Sequence, residues 1–186
     1  MSDTPLTTVT AVQEYLGLAA GTDGELLTTM IARASAAICS YCGCEFAAAD
    51  YDEYYDGDGT DSVVLQQRPV IEMTTLSEDG SDIAAEDYVV YAQTGIVRLK
   101  SGSFGRGAGT IRAQYWAGYE TIPGDVEQAA IEWTAALYQS RETGGRTATT
   151  ERVGDYAVTH ATTEGAPANV RAALEPYRGA ISRPVR

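Results

Sequence analysis

Three cysteines, Cys39, Cys42 and Cys44, lie close together, and thiolates at such spacing can hold zinc. A four-ligand site needs one more donor, and His160 is the one histidine in the chain. Cys39 and Cys42 have CxxC spacing, but Cys42-Gly43-Cys44 supplies no second pair of that kind. The plainer expectation is a small core residue followed by thiols at a helix end, all reduced in a cytoplasm. Asp56-Gly57-Asp58-Gly59-Thr60-Asp61 has the carboxylate density of a calcium loop. Such a loop requires glycine at its sixth position and glutamate at its twelfth. Counted from Asp56 those positions are Asp61 and Gln67, so a solvated hairpin turn is expected instead. Gly102-Ser103-Phe104-Gly105-Arg106-Gly107 lacks the GK[ST] ending of a phosphate loop. A strand follows it, so no helix N-terminus faces an anion there. His160 has no Ser or Cys motif to activate. No catalytic residue, metal site or cofactor is expected, and the chain reads as a non-enzyme.

The elements that would position these residues follow from hydrophobic spacing. Residues 6–18 read as a short helix capped by Thr8 or Thr10, with Thr10 and Gln13 as a capping box and Gly17 as the stop. A stronger helix is expected over 23–45, with Leu27, Ile31, Ala34, Ile38 and Tyr41 on one face. Residues 47–118 form an inserted antiparallel β-region. Its strand signals lie at Ser62–Leu65, at Arg68 to Leu76, at Tyr88–Tyr91, at Gly95–Leu99 and at Thr110–Trp116. Asp79-Gly80 is a candidate hairpin turn. Pro123 opens a helix over 123–141 whose buried stripe is Val126, Ala130, Trp133 and Leu137. The expected fold is α+β: a small helical bundle with the β-region inserted, then an extended C-terminal arm and a short terminal helix. Residues 1–142 form the body; 143–186 form a flexible arm, the short helix from Pro167 to Tyr177 and a tail.

With 186 residues and 44% hydrophobic content, the chain can bury a core. No apolar run is long enough for a membrane-spanning helix, and no membrane role is expected. Met1-Ser2-Asp3-Thr4-Pro5 has neither a basic segment nor an apolar run, so no signal peptide is expected. Work in the cytoplasm, or in something assembled there, follows. The formal charge of −13 is uneven. Residues 1–140 hold 21 acids against 6 Lys and Arg, a net of −15, while residues 141–186 hold 5 acids against 7 Arg, a net of +2. Duplex affinity comes mainly from neutralising phosphates, so the acidic body argues against gripping DNA. Tyr54, Tyr55, Tyr88, Tyr91, Tyr115, Tyr119 and Trp116 cluster in the β-region, where they serve its core or a subunit interface.

Several local patterns, in order, resemble the head–tail connector proteins of tailed phages, also called adaptors or head-completion proteins. They are Tyr15-Leu16-Gly17, then Ile38 with Tyr41-Cys42-Gly43 and Phe46, then Arg68-Pro69-Val70. Tyr115-Trp116-Ala117-Gly118-Tyr119 and Ile122-Pro123-Gly124-Asp125-Val126 follow, leading to Trp133. Gly154-Asp155-Tyr156-Ala157-Val158 and Leu174-Glu175-Pro176-Tyr177-Arg178 complete the order. The resemblance implies a structural virion protein at the head–tail interface, forming a roughly twelvefold homo-oligomeric ring below the portal. Such a ring extends the DNA channel, lets DNA pass without specific binding, and docks the next tail component. It implies that Leu174, Pro176, Tyr177, Arg178, Arg183 and Arg186 bind the portal protein. It also implies that Val153, Gly154, Asp155, Tyr156 and Val158 form an arm against a neighbouring subunit. A stopper or tail-completion protein is the partner on the other side. The alternatives are a tail-completion or stopper ring protein, or a cytosolic cation- or ligand-binding domain, for which Asp56 to Asp61 is the argument.

Overall fold

Thr8 begins the first helix, α1 (Val9–Leu16), by accepting the Ala11 amide on its hydroxyl at 3.2 Å, and Gly17 closes it in the left-handed conformation at φ 67°. The cap is therefore Thr8, and Gln13 is no part of a capping box: its side-chain amide donates to the Thr22 carbonyl at 2.7 Å. This computed structural model describes residues 4–142, 149–153, 156–160 and 166–178. The chain divides into two compact units, one of Met1–Gly43 with Ile122–Arg186, the other of Cys44–Thr121.

The first unit is helical. The helix α2 (Gly24–Cys42) buries Leu27, Ile31, Ala34 and Ile38 of the expected stripe, while Tyr41 at its end is only partly covered. The helix α3 (Gly124–Glu142) touches α1, α2 and the short helix α4 (Ala168–Leu174). Because three helices surround it, its buried surface is wider than one stripe. Val126, Ala129, Ala130, Ile131, Thr134, Ala135 and Tyr138 are buried, while Trp133 and Leu137 are only partly covered. Val12, Leu27, Ile31, Ile131 and Tyr138 share one cluster. The Tyr138 hydroxyl donates to Asp23 at 2.7 Å, and the Arg141 guanidinium lies 4.9 Å from the Tyr138 ring centre.

The second unit is all β. Strands β1 (Ala49–Asp58), β3 (Val70–Glu78), β4 (Ser81–Asp82) and β7 (Arg106–Ala117) form an antiparallel sheet in the order β1-β7-β3-β4. Strands β2 (Ser62–Val64), β5 (Tyr88–Tyr91) and β6 (Ile96–Leu99) form a second, in the order β2-β6-β5. The inner faces share one core: Val63, Leu65 and Val97 meet Leu76, Ile111, Ala113 and Tyr115. Asp79 and Gly80 have φ of 47° and 79°, the paired positive values that a two-residue hairpin favours, so the expected turn is present. The unit closes on itself where it leaves and rejoins the chain. Ala48 and Tyr119 are joined by backbone hydrogen bonding at 3.1 Å, and Phe46 stacks on Tyr119. Gly118, at φ 114°, makes that closure possible, because a Cβ there would lie 2.6 Å from the Ala47 carbonyl oxygen.

The longest departure from expectation lies at the start of the β-region, where no strand was expected before Ser62. Ala49–Asp58 is a ten-residue strand, and only the residues after it turn. Tyr51, Glu53 and Tyr55 alternate with the exposed Asp50, Asp52, Tyr54 and Asp56, so the period is that of a strand. An inward glutamate hid it. At the C-terminal side, strands β8 (Thr149–Val153) and β9 (Tyr156–His160) pair antiparallel as a two-stranded sheet, with Val153 opposite Tyr156. Gly154 and Asp155, which belong to the expected arm, lie outside the described residues.

Candidate interaction surfaces

The residues expected to bind the portal differ in how the fold uses them. Leu174 is fully buried and is spent on the helical core with Val170. After it the chain makes a 3-10 turn over Glu175–Tyr177. Tyr177 donates its hydroxyl to the Asp125 carboxylate at 2.7 Å, in the first turn of α3. The Arg178 guanidinium lies 5.0 Å from the Tyr41 ring centre and 3.4 Å from the Glu175 carboxylate. Tyr41 in turn donates to Glu175 at 3.3 Å. Pro176 and Arg178 remain exposed. Arg183 and Arg186 lie outside the described residues.

The acidic stretch has structural employment. Asp56 accepts the Gly109 amide at 2.7 Å. Asp58 accepts both the amide and the hydroxyl of Thr60, at 2.9 and 2.6 Å, and those bonds hold its carboxyl below the usual range. Asp61 lies 3.5 Å from the Arg98 guanidinium. Each carboxylate thus satisfies a nearby donor, and among the described residues no three His, Cys, Asp or Glu side chains gather to hold a metal ion. Cys42 and Cys44 are buried, and burial pushes the Cys44 thiol up. The Gly-rich loop also packs. Phe104 is fully buried, and the Gly105 amide donates to Glu78.

Two features of the β-unit escaped the sequence reading. Inside, Glu53 accepts hydrogen bonds on one carboxylate oxygen from the hydroxyls of Tyr55 and Tyr115 (2.6 Å for the latter). Those hydroxyls accept the backbone amides of Gln66 and Gln67 at 2.9 and 3.2 Å, pinning the connection between β2 and β3. Burial, and then the carboxylate beside them, push both phenols well above the ordinary tyrosine range. Outside, on β1 and β7, Arg112 makes a two-point contact with Asp52 at 2.8 and 2.7 Å and lies over the Tyr54 ring. That contact holds the Asp52 carboxyl below the usual range. Neither pairing was visible before the register of β1 on β7 was known.

The sequence profile of the head completion protein family matches residues 5–180. The chain belongs to that family. Its role is therefore structural, at the head–tail interface of a virion, as the ordered motifs implied. No curated protein sequence matches the chain. Among solved structures, it is similar to a chain in the neck of an empty gene transfer agent (GTA) particle computed with C6 symmetry, with TM-score 0.64 and 18% identity over 99% of this chain and 91% of that one. A chain in the neck of the native particle computed with C12 symmetry matches with TM-score 0.61 and 17% identity, over 96% of this chain and 88% of that one. One in the virion of the native particle gives TM-score 0.60 and 18% identity, over 99% and 91%. At this identity the likeness establishes a shared α+β fold.

Proposed function

We propose that the family member described here forms a closed ring at the neck of its particle, between the portal and the next tail component, and does no chemistry there. The observation that carries this reading is the fold shared over nearly the whole chain with neck proteins in structures computed with C6 and C12 symmetry. A closed ring requires a head-to-tail interface in which one surface of a subunit meets a different surface of the next. The acidic body, with 21 acids against 6 Lys and Arg in residues 1–140, keeps DNA sliding through the lumen instead of sticking. Screening confines that repulsion to about 10 Å at ordinary salt.

Within this reading the C-terminal end faces the portal. Leu174 and Tyr177 anchor the segment on the helical unit, while Pro176, Arg178 and the residues that follow, Arg183 and Arg186 among them, make the contact. The hairpin of β8 and β9, containing Val153, Tyr156 and Val158, is the arm that reaches a neighbouring subunit. A particle line deleted for this chain should yield DNA-filled heads that lack tails and leak DNA. Tailed, infectious particles from that line would refute the proposal.

A further inference from the structure

The outer face of the sheet β1-β7-β3-β4 carries one arrangement twice, once complete and once lacking a part. The register lays Tyr54, Arg112 and Ser77 side by side, then Asp52, Gln114 and Thr75, then Asp50, Trp116 and Glu72. In the first two rows the chain supplies its own cation. Arg112 makes its two-point contact with Asp52 at 2.8 and 2.7 Å, and its guanidinium lies 5.7 Å from the Tyr54 ring centre. An aromatic ring, a carboxylate and an arginine thus form one closed set.

The third row has the same kinds of group without the cation. Trp116 takes the place of the phenol, with Asp50 opposite it on one neighbouring strand and Glu72 on the other. Cross-strand neighbours have Cβ atoms about 4.5–5.5 Å apart, so a carboxylate flanks the indole on each side. Asp50 and Glu72 are exposed and Trp116 is only partly covered. Among the described residues neither carboxylate has a hydrogen bond or an ion pair, and Arg112 is the one cation in these rows. It lies about 13 Å along β7 from Trp116 and is already committed to Asp52.

An indole face attracts a cation more strongly than a phenol does. A guanidinium suits the place best, because it is planar, weakly hydrated and forked, and can lie on a ring while donating to carboxylates. The completed rows show that group bound in that way on the same sheet. Charge points in the same direction, since a chain with a net charge of −13 is complementary to a basic partner.

We infer that the row of Asp50, Trp116 and Glu72 is a docking point for an arginine side chain of another protein, its guanidinium lying on the indole and donating to the carboxylates. The inference rests on the ring reading above, in which the C-terminal end is given to the portal, and it gives this sheet face to the tail component on the other side.

The test uses particles from the deletion line supplied with altered chains. Asp50→Asn together with Glu72→Gln removes both charges and keeps both shapes. Heads bearing this variant should carry the ring yet join tails at least tenfold less often, and the purified variant should melt at the temperature of the unaltered chain. In a second chain p-benzoylphenylalanine stands in place of Ile71, which is 40% exposed and is the extra residue of the bulge beside Glu72. Illuminated in particles, it should cross-link to an arginine-bearing segment of the tail component, identified by mass spectrometry of the joined peptides. Normal tail joining by the double variant, or a cross-link to nothing but a second copy of this chain, overturns the inference while the ring reading stands. Heads on which the unaltered chain forms no ring overturn both.

Discussion

The Tyr177 hydroxyl lies 2.7 Å from the Asp125 carboxylate, tying the last described turn of the chain to the first turn of α3. These residues are far apart in sequence, and the bond fixes where the chain sets out toward its C-terminus. Tyr41 supports the same point from α2 through the Arg178 guanidinium and the Glu175 carboxylate.

Tyr177→Phe keeps the ring and removes the bond. A hydrogen bond of this kind contributes about 1 kcal/mol net. Urea unfolding should show a loss of that size with an unchanged slope, and a loss no larger than the fitting error would mean that the bond contributes nothing to anchoring.

Leu174 was expected to meet the portal, yet it is fully buried within its own chain. Leu174→Ala should therefore destabilise the isolated protein by about 2–5 kcal/mol, the range for large-to-small changes in a core. Thermal unfolding without any partner checks this. An unaltered melting temperature would return Leu174 to the surface.

Gly118 combines positive φ with the close approach of Ala47. Gly118→Ala should cost at least about 2 kcal/mol through strain and overlap where the β-unit closes. Gly80→Ala, at positive φ but with open space around it, should cost less. Equal losses in the two variants would show that the contact with Ala47 contributes nothing.

The paired phenols over Glu53 predict an alkaline limit. Tyr55 and Tyr115 have raised pKa values in the folded state, so the unfolded chain releases their protons first as pH increases. Their contribution is fully present below about pH 10, the ordinary tyrosine value, and is lost above it. Stability measured from pH 8 to 11.5 should hold level and then fall. In Tyr115→Phe the fall should be shallower, and an identical slope in that variant would assign the alkaline loss to other groups.

The helices were legible because their signals are local. Leu27, Ile31, Ala34 and Ile38 repeat at helical spacing, and Gly17 marks a helix end by its own conformation. Strand β1 was not legible, since its inward positions include Glu53, and an inward, half-buried carboxylate makes sense only once Tyr55 and Tyr115 are seen to satisfy it. The acidic run at Asp56 to Asp61 gave no sign of its partners, because the donors to Asp56 and Asp61, Gly109 and Arg98, come from distant strands. The ordered motifs carried the family because several of them are closure points. Tyr115-Trp116-Ala117-Gly118-Tyr119 ends β7 and makes the join with Phe46 and Ala48. Which of the C-terminal residues are free to meet a partner depended on contacts that no local pattern encodes.

In the proposed function this chain joins a portal to a tail through its C-terminal end. The most direct test is the mass of the complex formed when the purified chain is added to portal rings, compared with a chain ending at Arg178. One full-length copy should bind per portal subunit, and the shortened chain should fold with the same melting temperature yet fail to bind. Absence of any complex with the full chain would contradict the ring reading; equal binding by the shortened chain would contradict the role given to the C-terminal end.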